Sequence, residues 1–351
     1  MNVAAPTLLA KTGRIASLVL ITVVVPLILP IASSRYAADR LPAPYLPALE
    51  GPRLRAAFDA QRIPDLRRMN PGYVVIGDSM AGTRIDDRRL AELAHVPVAP
   101  LLQPGSGSAF WYLALKNWVI ASGVKPRLVL IFFRDSNLTD VMFRLDPQFR
   151  WSLDLTALAH EEELNAVISK RLGPLNRLHR FLDREFGVEV TRQRVEPEVV
   201  GAPAVAMIAS PLRRADFLTQ MNLRLGLDHL RHMEAADVEV DDDASFNFGR
   251  DVESSVLPLM LRDARAAGVT LCFVRVQRRP TPNRPPAQSP SLRRYIAALR
   301  AYVEQRNAVF HDDTGDPMLT LDMYEDGDHL ARHARRSYTE NLYNRLRAHF
   351  Q

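Results

Sequence analysis

Cysteine is nearly absent from this sequence, since Cys272 is the single cysteine among 351 residues. One cysteine excludes an internal disulfide and a zinc site built from cysteines. Cys272 falls within the apolar run 269–274, which is typical of a small residue in a buried core. The rest of the chain has no internal repeat and no obvious cluster of metal ligands. The sequence therefore predicts neither a metal site nor a cofactor.

A strong excess of charge of one sign is also absent. The chain carries 45 basic and 40 acidic residues, which gives a net charge of +5 and an isoelectric point near 9.5. The arginines are scattered, and no basic motif interleaved with aromatic residues is present, so the sequence does not favour binding to nucleic acid. Attraction to an anionic lipid or an acidic glycan fits the mild positive charge at least as well.

Hydrophobic residues make up 47% of the chain, which is enough to bury a sizeable core. The length predicts two domains, or one large α/β domain with an insertion. Apolar runs without alternation, separated by stretches with helical periodicity, indicate a parallel sheet with helices on both faces. The predicted core comprises 71–139 and 250–351, and the helical pattern between them indicates an insertion at 140–249. Strands are predicted at 72–76, 96–102, 127–133, 269–276 and 308–311, and helices at 86–94, 109–121, 252–267, 291–307 and 331–349.

An apolar run of 19 residues without a charge lies near the N-terminus, at 15–33. A helix of this length would span roughly 28 Å, close to the thickness of the hydrocarbon core of a bilayer. Lys11 and Arg14 precede the run, and this basic flank favours a cytoplasmic tail at 1–14. The sequence thus predicts a single-pass anchor in the inner (plasma) membrane, with the bulk of the protein on the periplasmic side. A cleaved signal peptide is the alternative interpretation.

A spacer is predicted after the anchor, at 34–70, and it ends in a short helix. The first core strand follows and runs into Gly77, Asp78 and Ser79. A strand that ends in a tight turn before a helix places the serine hydroxyl at the carboxyl edge of the sheet. A serine becomes a good nucleophile only when a neighbouring base takes its proton, and that base needs an orienting acid.

A base and an acid are available near the other end of the chain. His329 lies in a predicted loop before the last helix, with Asp326 three residues earlier and Asp328 directly before it. The spacing of three residues lets the carboxylate of Asp326 fold onto the imidazole, so we expect Asp326 to be the orienting acid. We expect Asp328 to point away and cap the last helix. His311 and His333 are alternative bases, and His333 is expected at the surface.

An oxyanion formed during acyl transfer needs hydrogen-bond donors that are already in place. The backbone N–H of Ser79 is the first candidate. Gly105 is the second, because a glycine allows close approach of the backbone to a ligand, and Gly107 is the alternative to it. The loop that follows the strand at 127–133 offers the amide of Asn137 or the cation of Arg134 as a third donor. Asp78, beside the serine, is a further candidate for the site.

These residues resemble the SGNH/GDSL hydrolase superfamily. Gly77-Asp78-Ser79 is similar to its first motif block, Gly105 to its second-block glycine, and Asp326-Gly327-Asp328-His329 to its Asp-x-x-His block. The resemblance covers about 71–138 and 250–351, and it implies a three-layer, flavodoxin-like fold and a Ser-His-Asp triad. The third block departs from the pattern, because the family has Gly-x-Asn-Asp where this chain has Arg134-Asp135-Ser136-Asn137. The α/β-hydrolase nucleophile elbow is a weaker match, because residue 81 is alanine.

An N-terminal membrane segment joined to such a domain resembles the members that handle acyl groups during modification of cell-envelope polymers. That resemblance implies a serine esterase or O-acyltransferase acting on acyl esters, acetyl above all, of an envelope polysaccharide. It also implies a membrane-bound O-acyltransferase as partner. Two alternatives stay open: a non-catalytic accessory or glycan-binding partner of such an acyltransferase, and a lipase-like enzyme acting on phospholipid.

Overall fold

The computed structural model describes residues 58–145, 153, 155–158, 161–171, 246–280, 288–325 and 327–350. All of them belong to one compact unit of the chain. The predicted membrane anchor at 15–33 and most of the predicted insertion at 140–249 lie outside these residues. Among the helices of the described part, none combines the length and the apolar character needed to cross a bilayer.

Five parallel strands form the centre of the fold. They pair in the order β2-β1-β3-β4-β5, which is one of the common orders of doubly wound sheets. This confirms the predicted α/β class with a parallel sheet. Each strand lies within two residues of its predicted bounds. The strands are β1 (Tyr73–Gly77), β2 (Val98–Leu102), β3 (Leu128–Phe133), β4 (Leu271–Arg275) and β5 (Val309–Asp312).

The helices follow the strands in alternation, as an α/β chain requires. In chain order they are α1 (Arg62–Met69), α2 (Ser79–Arg84), α3 (Asp87–Ala94), α4 (Ser108–Ala114), α5 (Glu162–Arg171), α6 (Phe248–Glu253), α7 (Leu257–Ala267), α8 (Pro290–Glu304) and α9 (Ala334–Phe350). A π-helical segment, Leu115–Ile120, continues α4, and a 3₁₀ turn, Leu321–Met323, precedes the histidine loop.

Both faces of the sheet are covered. Every residue of β1, β3 and β4 is buried, which explains why these strands read as continuous apolar runs. On one face, Tyr73 and Val75 of β1 share a hydrophobic cluster with Met80 of α2, Leu90 of α3 and Tyr338 of α9. α4 contacts β1, and α7 in turn packs on α4 and the π-helical segment. Cys272 is buried in β4, and burial raises the pKa of its thiol, as expected for a core residue.

Two predicted helices differ from the observed ones. The helix predicted at 252–267 is two helices, because the Ser255 hydroxyl donates to the Val252 carbonyl and accepts the N–H of Leu257. Pro258 then occupies the first turn of α7, where its missing N–H has no cost. The helix predicted at 109–121 is present, but its second half is π-helical.

Candidate active site

The serine sits on a tight turn from β1 into α2. Asp78 caps the helix, because its Oδ1 accepts the N–H of Met80 at 2.9 Å. A side chain at position 77 would place its Cβ 2.5 Å from the Cβ of Ala81, so the turn requires glycine there. Ser79 therefore begins α2 at the carboxyl edge of the sheet, and it is only half-buried.

The histidine lies in a small closed loop between the 3₁₀ turn and α9. Tyr324 and Leu330 pair across the base of the loop, and the N–H of Glu325 donates to the carbonyl of His329 at 3.0 Å. His329 Nε2 lies 2.9 Å from Ser79 Oγ, although the two residues are 250 positions apart in the chain. The structure thus brings together the predicted nucleophile and base with hydrogen-bonding geometry.

The two alternative histidines lie elsewhere. His311 is on the edge strand β5, and its Nε2 lies 3.1 Å from Asp313 Oδ1. His333 is exposed, as predicted. Of the three histidines that the sequence offered as bases, His329 is the one that the structure places against Ser79.

The predicted acid, Asp326, lies outside the described residues. The prediction that Asp328 caps the last helix is wrong. Its side chain is buried and its carboxylate accepts hydrogen bonds from the Arg134 guanidinium and, at 2.8 Å, from the backbone N–H of Arg279. A buried carboxylate needs such partners, and the loop supplies them from the ends of β3 and β4 instead of exposing Asp328 to the start of α9.

The loop after β2 lies beside the serine turn. The N–H of Gln103 donates to the carbonyl of Gly77 at 2.9 Å, and the turn that holds Gly105 closes with the N–H of Ser106 on the carbonyl of Gln103. Gly105 has a φ of 71°, which is the left-handed region that favours glycine. Gly107 has a different role, because a Cβ there would lie 2.3 Å from the carbonyl oxygen of Phe143.

The loop after β3 contributes the third predicted donor. Asn137 is half-buried, and its backbone N–H closes a turn onto the carbonyl of Arg134 at 2.9 Å. Its side-chain nitrogen Nδ2 is buried and has no hydrogen-bond partner among the described residues. Burying an unpaired donor is unfavourable, and the Nε atoms of Arg84 and Arg275 share this condition.

Asp78, the residue before the serine, lies among charged groups. Burial raises the pKa of the Asp78 carboxyl, although the nearby Arg84, Arg134 and His329 favour its charged form. Burial alone would lower the pKa of Arg134, but the carboxylate of Asp328 outweighs it and raises that pKa. Arg134 is therefore a cation paired with the residue directly before His329.

One ionic cluster at this edge was not found by sequence analysis. Asp135 accepts from Arg275 at 2.8 Å and from Arg278 at 2.6 Å, and it has a φ of 47°. Arg275 is 2% exposed at the end of β4. An arginine that directly ends an apolar strand was the available signal, because a charge in that place needs a buried partner.

The fold and the site define an α/β protein with a serine–histidine pair at the carboxyl edge of a parallel sheet. Ser79 follows β1, which neighbours both β2 and β3, so the pair lies where the strand order reverses, and doubly wound sheets bind their ligands at that point. No protein-family model matches the sequence, and no curated protein matches it. Within the described part of the chain, no group of three or more His, Cys, Asp or Glu residues could hold a metal ion.

Proposed function

We propose that the protein is a serine esterase or O-acyltransferase. The observation that carries this proposal is the distance of 2.9 Å between His329 Nε2 and Ser79 Oγ. In the proposed reaction, Nε2 takes the hydroxyl proton as Oγ attacks the carbonyl carbon of an acyl ester. The imidazolium then returns the proton to the leaving alcohol, and the acyl group stays on Ser79.

A second alcohol or water completes the reaction. His329 takes a proton from the incoming hydroxyl, which attacks the acyl carbon, and Ser79 leaves with the proton restored. Water gives hydrolysis, whereas a sugar hydroxyl gives acyl transfer. Both outcomes use the same residues in the same order.

The oxyanion of each tetrahedral intermediate is assigned to three donors. The N–H of Ser79 lies in the first turn of α2, where a helix has no internal acceptor for it. Gly105 supplies a second N–H from the loop beside Gly77. The unpartnered Nδ2 of Asn137 supports this residue over Arg134 as the third donor, because the Arg134 guanidinium already binds Asp328.

Asp326 is proposed as the acid that orients His329, as the loop spacing predicts. Asp328 is less suited to this role, since both of its carboxylate oxygens accept hydrogen bonds from other groups. His329 must carry its proton on Nδ1 for Nε2 to accept from Ser79, and a carboxylate at Nδ1 stabilises that tautomer and the later imidazolium.

Membership of the SGNH/GDSL superfamily is part of the proposal. The strand order 2-1-3-4-5 is that of flavodoxin-like sheets. The serine follows β1, Gly105 follows β2, Asn137 follows β3 and the histidine precedes the last helix, which is the order in which the motif blocks occur. With the predicted anchor at 15–33, we propose acyl esters, acetyl above all, of a periplasmic envelope polysaccharide as substrate, and a membrane-bound O-acyltransferase as partner.

One observation favours the non-catalytic alternative. The loop after β3 departs from the family pattern, and Arg134 in that loop forms an ion pair with Asp328 instead of facing an open cleft. A protein that retained the fold but only bound glycan or an acyltransferase would tolerate such a change. The catalytic proposal and this alternative differ in whether Ser79 reacts.

Turnover of a chromogenic acetyl ester by the purified full-length protein tests the proposal. Ser79→Ala is expected to abolish turnover above the rate in buffer. Ser254→Ala is the matched control, because it removes a half-buried hydroxyl that donates to the Arg250 carbonyl. Equal turnover by Ser79→Ala and the control would show that the hydrolysis occurs elsewhere, and the esterase proposal would then fail.

A further inference from the structure

The helix that begins with the serine ends by holding the histidine loop. Thr83, in the last turn of α2, accepts the backbone N–H of Leu330 on its Oγ1 at 3.3 Å. Arg84, the next residue, donates from Nη1 to the backbone carbonyl of Asp328 at 2.9 Å. The two residues that flank His329 are thus bonded by consecutive residues of the six-residue helix that carries Ser79.

Arg84 is unusual in its burial. It is fully buried, and its Nη2 donates to the carbonyl of Gln277, just beyond β4, at 3.0 Å. Its guanidinium carbon lies 6.0 Å from the ring centroids of both Tyr324 and Tyr338. An apolar side chain would fill such a place without the cost of desolvating a charge, so the planar fork of an arginine has a use here that packing alone does not explain.

That use is geometric. A guanidinium donates in several fixed directions at once, and here it joins α2, the end of β4 and the loop that carries the histidine. Thr83 fixes the other side of the same loop. Because the loop is bonded to the helix of the nucleophile, a shift of that helix moves Ser79 and His329 together.

We propose that Thr83 and Arg84 are positioning residues that set the distance between Ser79 and His329. This inference rests on the proposed function for its kinetic consequence, but the geometry that it describes can be measured without turnover. Neither residue touches the reacting atoms. Misplacing a catalytic group by about 1 Å can cost roughly 100-fold in rate, so the bonds of Thr83 and Arg84 are expected to affect kcat more than KM.

Thr83→Val is the first test, because it keeps the shape of the side chain and removes the acceptor for Leu330. We expect kcat on an acetyl ester to fall about 10-fold or more, with KM nearly unchanged, and Thr83→Ser to restore most of the loss. Thr156→Val is the matched control. Thr156 is buried and donates to the carbonyl three residues earlier at 3.2 Å, as Thr83 does to Met80, but it lies in the segment 155–158, away from His329 in the sequence.

Arg84→Lys is the second test. A lysine keeps the charge, but its single nitrogen cannot reproduce the fork that joins the Asp328 and Gln277 carbonyls. We expect a loss of kcat at least as large as that of Thr83→Val. If Arg84→Lys does not fold, the threonine series decides the question alone.

Nitrogen NMR of the His329 ring provides a readout that does not depend on activity. In an otherwise wild-type background, the Ser79→Ala substitution is expected to change the ¹⁵N chemical shift of His329 Nε2, because it removes the contact between Nε2 and Ser79 Oγ. In a Thr83→Val or Arg84→Lys background this change is expected to be much smaller, because the contact is already weakened there. In a Thr156→Val background it is expected to be as large as in wild type. An undiminished change in the Thr83→Val background would overturn the inference. If instead Ser79→Ala retains turnover while the NMR result is as expected, the proposed function fails and the positioning role stands.

Discussion

The guanidinium of Arg134, at the end of β3, donates to the carboxylate of Asp328, the residue directly before the histidine of the site. The Asp328 side chain is 4% exposed and the Arg134 side chain 28%. This ion pair, with the N–H of Arg279 on the second carboxylate oxygen, joins the histidine loop to the segments that follow β3 and β4. The two aspartates around His329 are therefore expected to differ sharply in what they do.

Asp328→Asn is expected to lower the free energy of unfolding by about 2–3 kcal/mol, because it leaves the Arg134 cation without its buried partner. Its effect on kcat is expected to be much smaller than that of Asp326→Asn, since the carboxylate does not orient the imidazole in this account and the loop keeps its bonds to Thr83 and Arg84. Denaturant unfolding and ester hydrolysis measure the two quantities. A large loss of kcat with unchanged stability would reverse the assignment.

Asp326→Asn is expected to behave in the opposite way. Replacing the orienting acid favours the wrong tautomer of His329, and such a change costs about 10⁴-fold in kcat in a well-studied triad. Stability is expected to change by less than about 1 kcal/mol. If Asp326→Asn keeps wild-type kcat, the acid of the proposed triad is another residue.

Asn137→Ala separates activity from stability. Removing one oxyanion donor costs about 100- to 1,000-fold in kcat, so a loss of that order is expected on an acetyl ester. The free energy of unfolding is expected to stay within about 1 kcal/mol of wild type, because the Nδ2 donor has no partner to lose among the described residues. An Asn137→Ala protein that is strongly destabilised but fully active would assign the residue to folding alone.

Asp135 gives a prediction about pH. Burial alone would raise the pKa of its carboxyl, but Arg278 and Arg275 outweigh it and hold that pKa below the usual value of about 3.9. The unfolded state therefore takes up the proton first, and the stabilisation by Asp135 is present above about pH 4 and is lost as the pH falls through the lowered pKa. Asp135→Asn is expected to lower the free energy of unfolding by about 2–3 kcal/mol at pH 7, and by less at pH 3.5.

Denaturant unfolding of wild type and Asp135→Asn between pH 7 and pH 3.5 checks this dependence. Asp87→Asn is the control, because its ion pair with Arg335 is about 40% exposed and such pairs contribute less than about 1 kcal/mol. The difference in the free energy of unfolding between wild type and Asp135→Asn should shrink as the pH falls. A difference that stays constant or grows would contradict the assigned ion pairs.

The strands were predictable because they are buried on both faces. Continuous apolar runs at β1, β3 and β4 predicted both their type and their parallel pairing. The break between α6 and α7 was also present in the sequence, in the two serines before Leu257-Pro258, but the helical periodicity continued across it. The change from α-helix to π-helix after Ala114 has no such signal in the sequence.

The site was predictable at its motif residues and not in the groups around them. Ser79 and His329 were singled out by short motifs, and the structure places them in contact. Arg84 and Arg275 were missed, because a hydropathy pattern treats arginine as a surface residue. Their burial depends on carbonyls and carboxylates that come from distant parts of the chain, and a single sequence does not reveal those pairings.

The N-terminal prediction is tested by fractionation. The full chain is expected to stay with the membrane after washing with high salt and alkaline carbonate, because the run at 15–33 is long enough to span a bilayer. A chain that begins at residue 41 is expected in the aqueous fraction. If expression of the full chain instead gives a protein whose N-terminus lies beyond residue 33 and which leaves the membrane on washing, the segment is a cleaved signal peptide.

Reaction of Ser79 with a serine-directed phosphonate tests the central claim most directly. Full-length protein is incubated with the probe, digested and examined by mass spectrometry for the peptide that contains Ser79. We expect one adduct on Ser79, formed at least about 100-fold more slowly in His329→Gln and at the wild-type rate in His333→Gln. Absence of an adduct on Ser79 in the folded protein, or equally fast labelling in His329→Gln, would contradict an activated serine at this site.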